Sequence, residues 1–139
     1  MKKKISTGEV LEEMILPTLQ RGGYEYEKKQ NIGIRPTGRK HIVDVIATKD
    51  GKKILISLKW QQVRGTAEQK VPFEFISLLY ALETSQQFNA AYLVLGGDGW
   101  KLREFYVDGG LDKYIIRKDD RVKIIAFETF VGLANTGSL

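Results

Sequence analysis

The sequence predicts an α/β domain in which a helix, three strands, a helix and a strand build a mixed central sheet flanked by helices, with a further helix, strand and helix behind them. Three observations carry this reading. A capping signature opens an apolar run of helical period, and an Asp-Gly turn joins two runs rich in β-branched residues. Farther on, a stretch headed by proline with helical periodicity precedes a short, wholly apolar segment.

Ser6 followed by Glu9 is the capping box, after which Val10, Leu11, Met14, Ile15, Leu16 and Leu19 recur until Gly22-Gly23. The spacing predicts a helix over 7–21, distorted near Pro17. Tyr24 to Arg35 alternates loosely and reads as a strand, and the residues from Arg35 to Lys40 supply turn chemistry. His41 to Thr48 and Lys53 to Gln61 are strands joined at Asp50-Gly51. In the second, the period of two puts Ile54, Ile56, Leu58 and Trp60 on an apolar face and Leu55, Ser57, Lys59 and Gln61 on a polar one. A loop leads to Pro72 in the first turn of a helix over 71–84, carrying Phe75, Leu78, Leu79 and Leu82. A buried strand follows at 90–96, then a helix from Trp100 to Val107, a strand over 121–128 and a helical tail.

With 139 residues, 42% hydrophobic and without low-complexity segments, the chain reads as one domain over 1–139. The lack of cysteine excludes a disulfide framework, a thiolate metal site and a cysteine nucleophile. A single histidine, His41, excludes two-histidine catalysis and histidine-rich metal clusters, and it reads as a surface or hydrogen-bonding residue. Chemistry must therefore run on carboxylates, lysine and hydroxyls. Glu9, Glu12 and Glu13 interrupt any apolar stretch after the basic opening, so no signal peptide is expected, and no run reaches the roughly 18 apolar residues of a membrane span. A soluble, cytoplasmic protein is the expectation. Twenty-two Lys and Arg against seventeen Asp and Glu leave a charge of +5, which suits a polyanionic partner.

Two charges break otherwise apolar strands: Asp44 within IVDVI and Lys59 within ISLKW. An isolated carboxylate in such a place is neutralised, paired or used to hold a cation. One reading is a structural ion pair between the two. The other is a phosphodiesterase layout, in which the acid holds a hard cation and the lysine offsets charge on a phosphate. That layout needs another acid. Glu74, at the border of the buried stripe of the second helix, is one source, though a first-turn glutamate also suits the helix dipole. Glu68 is a rival, expected in the preceding loop, and Glu12, interrupting the stripe of helix one, is a third.

An acid on one strand, a turn, and a strand placed to bear acid-x-Lys within this element order resemble the PD-(D/E)XK nuclease superfamily, over about Ser6 to Gly96. The resemblance implies a restriction-endonuclease-like core, Asp44 as the metal-binding acid, Lys59 as the catalytic lysine and Gln61 as a glutamine often near that site. Val43 stands where the name-giving proline would be, at a variable position. Ser57 stands where Asp or Glu usually chelates metal; some restriction endonucleases of the superfamily have Ser-x-Lys there and take the acid from the next helix, as Glu74 would supply it. Glu12 is similar in placement to the first-helix glutamate of junction-resolving members. The implied cofactor is Mg²⁺, with Mn²⁺ as a substitute.

Arg35, Arg39, Lys40, Arg64 and Lys70 flank these strands and are candidates for DNA phosphate contacts. Trp60 belongs to the apolar face, while Trp100 is either a contact residue or an anchor. The expected activity is a metal-dependent DNA endonuclease, structure-selective or sequence-specific, acting as a homodimer because one chain is too small to enclose a duplex. A non-catalytic nucleic-acid-binding module on a decayed nuclease fold competes with it, favoured by Ser57. A basic assembly subunit is a third reading.

Overall fold

A computed structural model describes residues 5–139, so the basic run Lys2–Lys4 lies outside the described residues. Five strands form one mixed sheet in sequence order: β1 (Glu25–Ile34), β2 (Lys40–Lys49), β3 (Lys52–Trp60), β4 (Ala90–Gly96) and β5 (Val122–Ala126). The first three are antiparallel, and β4 and β5 run parallel to β3. Asp50 and Gly51 have φ of 52° and 79°, the signs a tight hairpin demands, and Lys49 pairs directly with Lys52.

Before the sheet, α1 (Thr7–Val10) continues through a π-helical turn, Leu11–Ile15, into α2 (Leu16–Arg21). The Ser6 hydroxyl accepts from the Glu9 N–H at 3.1 Å, as the capping box predicts. The distortion expected at Pro17 falls one turn earlier, where the Leu16 N–H reaches back to the Leu11 carbonyl and the widened turn accommodates the proline. These segments and α5 (Phe127–Asn135) cover one face of the sheet, packing Leu11, Ile15, Leu19 and Phe130 on Ile54, Ile56 and Leu58.

The other face of β3 is equally buried. Leu55, Leu93 and Leu95 lie under Val71, Phe75, Leu78 and Leu82 of α3 (Ala67–Thr84), with α4 (Arg103–Val107) alongside. Each such side chain contributes about 1.5–3 kcal/mol of transfer free energy. Ser57 and Gln61 on this face are therefore buried polar groups that need internal partners.

Three boundaries differ from the sequence reading. The helix α3 starts at Ala67, so Glu68 is helical and Pro72 lies inside the helix. Pro72 cannot donate to the Glu68 carbonyl four residues back, and the Tyr106 hydroxyl donates to that carbonyl instead, at 2.9 Å. The helix expected from Trp100 begins only at Arg103, and β5 ends at Ala126, where Phe127 turns into α5 to meet the Trp60 ring edge-on at 5.3 Å. Trp60 also presses on Gly96, where a Cβ would lie 2.5 Å from the ring. Trp100 is an anchor: its indole N–H donates to the Gly96 carbonyl at 2.6 Å.

One irregularity positions the site. Strands β2 and β3 pair from Lys49 and Lys52 up to Val45 and Ile56 and part beyond that point. Ala47 and Val45 pack in the first core, yet Val43, of the same parity, packs in the second. A regular strand keeps residues of one parity on one face, so β2 turns over at Asp44.

Tyr106→Phe leaves the Glu68 carbonyl without its donor and is expected to cost about 1–3 kcal/mol, read as a lower urea midpoint at unchanged slope.

Candidate active site

Where β2 parts from β3, the N–H of Leu58 loses its strand partner. The Asp44 side chain replaces it, Oδ2 accepting from Leu58 N–H at 2.6 Å. Burial raises the Asp44 pKa; the Leu58 bond and the charges of Lys59 and Lys29 oppose that rise, and the nearby Glu74 carboxylate adds to it. Lys59 forms no ion pair among the described residues and acts on Asp44 through space, so the structural ion-pair reading fails. Both residues line a cavity of about 270 Å³, together with Ser57, Glu74, Arg35 and Lys70. Larger depressions lie elsewhere, as beside Tyr106 and Lys118 (about 470 Å³), where the acids Asp112 and Asp120 are spent in ion pairs with Lys118 at 3.3 and 3.8 Å.

Glu74 reaches this cavity from α3 and is only 3% exposed. Its Oε2 accepts from the Ser57 hydroxyl, and its Oε1 lies 2.5 Å from Arg35 Nη1 and 3.1 Å from His41 Nε2. The histidine contact lacks hydrogen-bond alignment, and neither ring nitrogen has an aligned partner. Burial alone would raise the Glu74 pKa, but His41, Ser57 and Arg35 outweigh it and bring it from 4.5 to about 2. The acid is thus held ionised, with both oxygens engaged.

Several expected residues have other occupations. Glu12 is exposed, pairs with Lys28 at 2.5 Å and does not line the cavity. Its place on the solvent side of the first helix, within reach of β1, draws it to that lysine. Gln61 is a structural bridge: its side chain donates to the Gly99 carbonyl at 2.8 Å and accepts from Ala67 N–H at 2.9 Å, capping α3 where Thr66 offers no side-chain cap. Glu68 accepts from the Lys101 and Leu102 amides, tying α3 to the start of α4. Arg35 is committed to Glu74 and stacks 5.6 Å from the Phe73 ring. Arg39, Lys40 and Arg64 are exposed outside the cavity, leaving Lys70 as the expected phosphate-binding cation free on its wall.

His41 and Lys29 were not among the expected site residues. His41 is fully buried instead of at the surface; its orienting partner, Glu74, lies 33 positions away in sequence, so only the β2 to α3 contact reveals it.

A family model described as the PD-(D/E)XK nuclease superfamily domain matches residues 3–137. The chain belongs to that superfamily. Its five-stranded mixed sheet flanked by helices is consistent with the restriction-endonuclease-like fold. No curated protein matches the sequence. Among solved structures, a protein of unknown function, AF1548, is similar at 12% identity with a TM-score of 0.47, covering 83% of this chain and 55% of that one. The chain thus spans about half the length of that relative.

PD-(D/E)XK nucleases generally use divalent metal ions. Among the described residues no group of three acidic, histidine or cysteine side chains is placed to hold a metal. Two carboxylates do line the cavity, and only one oxygen of Asp44 accepts a hydrogen bond. A magnesium site commonly takes one or two carboxylates and fills the rest with water and substrate phosphate, so this donor set fits a hard divalent cation.

Two outcomes follow for stability. A carboxyl whose folded pKa is depressed adds stability above its unfolded pKa and loses it on acidification. Glu74 is therefore worth about 3 kcal/mol above pH 4.5, lost as pH falls toward 2, and Glu74→Gln flattens acid unfolding across that window. Asp44 has the opposite sign: its raised pKa costs stability once pH passes its unfolded value. Asp44→Asn is expected to raise the thermal midpoint at neutral pH and not below the ordinary carboxyl range, measured by calorimetry at both ends.

Proposed function

We propose that this chain is a metal-dependent endonuclease that hydrolyses DNA phosphodiester bonds, with Mg²⁺ as its ion and Mn²⁺ as a substitute. The observation that carries it is the convergence of Asp44, Lys59 and Glu74 on one cavity, from two strands and a helix that the sequence separates. Asp44 and Glu74 would hold the ion, Asp44 through its free oxygen and Glu74 by exchanging the Ser57 hydroxyl. Such an ion lowers the pKa of bound water and neutralises phosphate oxygen. Lys59 sits half-buried on the wall, where its ammonium can donate to a phosphate oxygen and offset the charge that grows on it. Lys70 supplies a second cation at the rim. A homodimer would place two such sites on a duplex, and a soluble, cytoplasmic setting fits the substrate; no helix among the described residues is long and apolar enough to cross a membrane.

A binding module without catalysis is the second reading, favoured by Ser57 in an acid's position and by the full engagement of Glu74 with Arg35, His41 and Ser57.

Cleavage of supercoiled plasmid, linear duplex, single strand and a four-way junction in Mg²⁺, Mn²⁺ or EDTA separates them. The nuclease cuts only with metal, and Lys59→Ala slows it by about 10²-fold or more. Wild type and variant that bind DNA equally and cut nothing would favour the binding module.

A further inference from the structure

Strand β1 holds a lysine in a backbone conformation that strands do not use. Lys29 has a φ of 54°, in the left-handed region, yet Lys28 faces Val45 and Gln30 faces Val43 in unbroken register on either side of it. That register sets Lys29 directly opposite Asp44, and no inserted residue relieves the kink. Glycine or asparagine would sit there with less strain than lysine. Strain of this kind persists where the surroundings over-determine it, and it concentrates at ligand sites. Lys29 is exposed and forms no ion pair among the described residues, whereas its neighbour Lys28 is taken by Glu12. Its charge acts on Asp44 from the β1 side of β2, as that of Lys59 does from the β3 side.

We propose that Lys29 is a substrate-binding residue that holds a backbone phosphate next to the one at Lys59. The inference rests on the nuclease reading and deepens it. Two lysines on the strands either side of Asp44 suit a ligand that brings more than one phosphate, as a polynucleotide strand does and a single phosphate ester does not.

The test is fluorescence anisotropy of labelled duplex and single-stranded oligonucleotides in EDTA, titrated with KCl over about 50–200 mM, with thermal unfolding alongside. Lys29→Gly and Lys29→Asn both fit the left-handed backbone and remove the charge. Each is expected to lower the salt slope by about one and weaken binding about eightfold near 0.1 M salt, with an unfolding midpoint at or above wild type. Lys29→Arg keeps affinity and slope. Unchanged affinity and slope in the Gly and Asn variants overturn the assignment of Lys29 while leaving the nuclease reading intact. A lowered midpoint in both, with binding lost in proportion, makes the residue structural and also overturns it. Wild type that binds neither oligonucleotide in EDTA and cuts neither with Mg²⁺ overturns the nuclease reading and Lys29 with it.

Discussion

The hydrogen bond from Leu58 N–H to Asp44 Oδ2 fixes the rest of the site. A sheet that opens in its middle leaves backbone donors unpaired, and an unpaired buried amide is costly. Here a side chain replaces the missing strand partner, so the opening persists without an orphaned donor. The same bond anchors the carboxylate by one oxygen and, among the described residues, leaves the other without a hydrogen-bond donor. Had β2 continued against β3, Asp44 would lie in the ladder and the space beside Lys59 would be filled. The gap between two strands opens onto the cavity that Asp44, Lys59 and Glu74 line.

Around that gap the polar groups divide into two kinds. Glu74 has both oxygens engaged, one by Arg35 with His41 in contact and the other by the Ser57 hydroxyl, and its depressed pKa marks it as a source of stability. Asp44 is strained in the electrostatic sense, since burial works against its charge. Among the described residues Lys59 has no ion-pair partner to neutralise it. A purely structural network would pair these last two charges, and the structure leaves them apart. Stability given up at a cleft while its wall is over-satisfied is the pattern of a site kept ready for a ligand.

The fold was legible because local signals agreed with one another: the capping box, the Asp-Gly turn and the apolar β4 each predicted an element that exists. Asp44 and Lys59 were legible for the opposite reason, as charges in conflict with their strands. What failed to show were facts of tertiary contact. Pro72 inside α3 depends on a tyrosine 34 positions away accepting the role of donor. Gln61 looked like a site residue by its parity, but the loop of Gly97 and Gly99 packs so closely on it that its amide is absorbed in holding backbone. Glu12 interrupted an apolar stripe, which sequence cannot tell from a solvated edge that finds Lys28. The turnover of β2 at Asp44 left no local mark, because IVDVI has the same alternation on paper whether or not the strand twists.

The charge balance of the cleft completes the physical picture. Three cations, Arg35, Lys59 and Lys70, line it with two carboxylates, Asp44 and Glu74. Arg35 cancels against Glu74 through direct contact, which leaves two lysines facing one carboxylate. That surplus is local and lies in a partly desolvated space, where charge acts more strongly than at an open surface. An anion entering the cleft therefore meets attraction before any cation is present, and each negative oxygen it brings makes the site more favourable for a divalent ion. In the proposed nuclease, binding of phosphate and of metal would then reinforce each other, since by linkage each raises the affinity for the other. On the proposed nuclease reading, a cleft built this way would discriminate against free metal and against neutral ligands and would favour a polyanion carrying its own oxygen ligands to the ion.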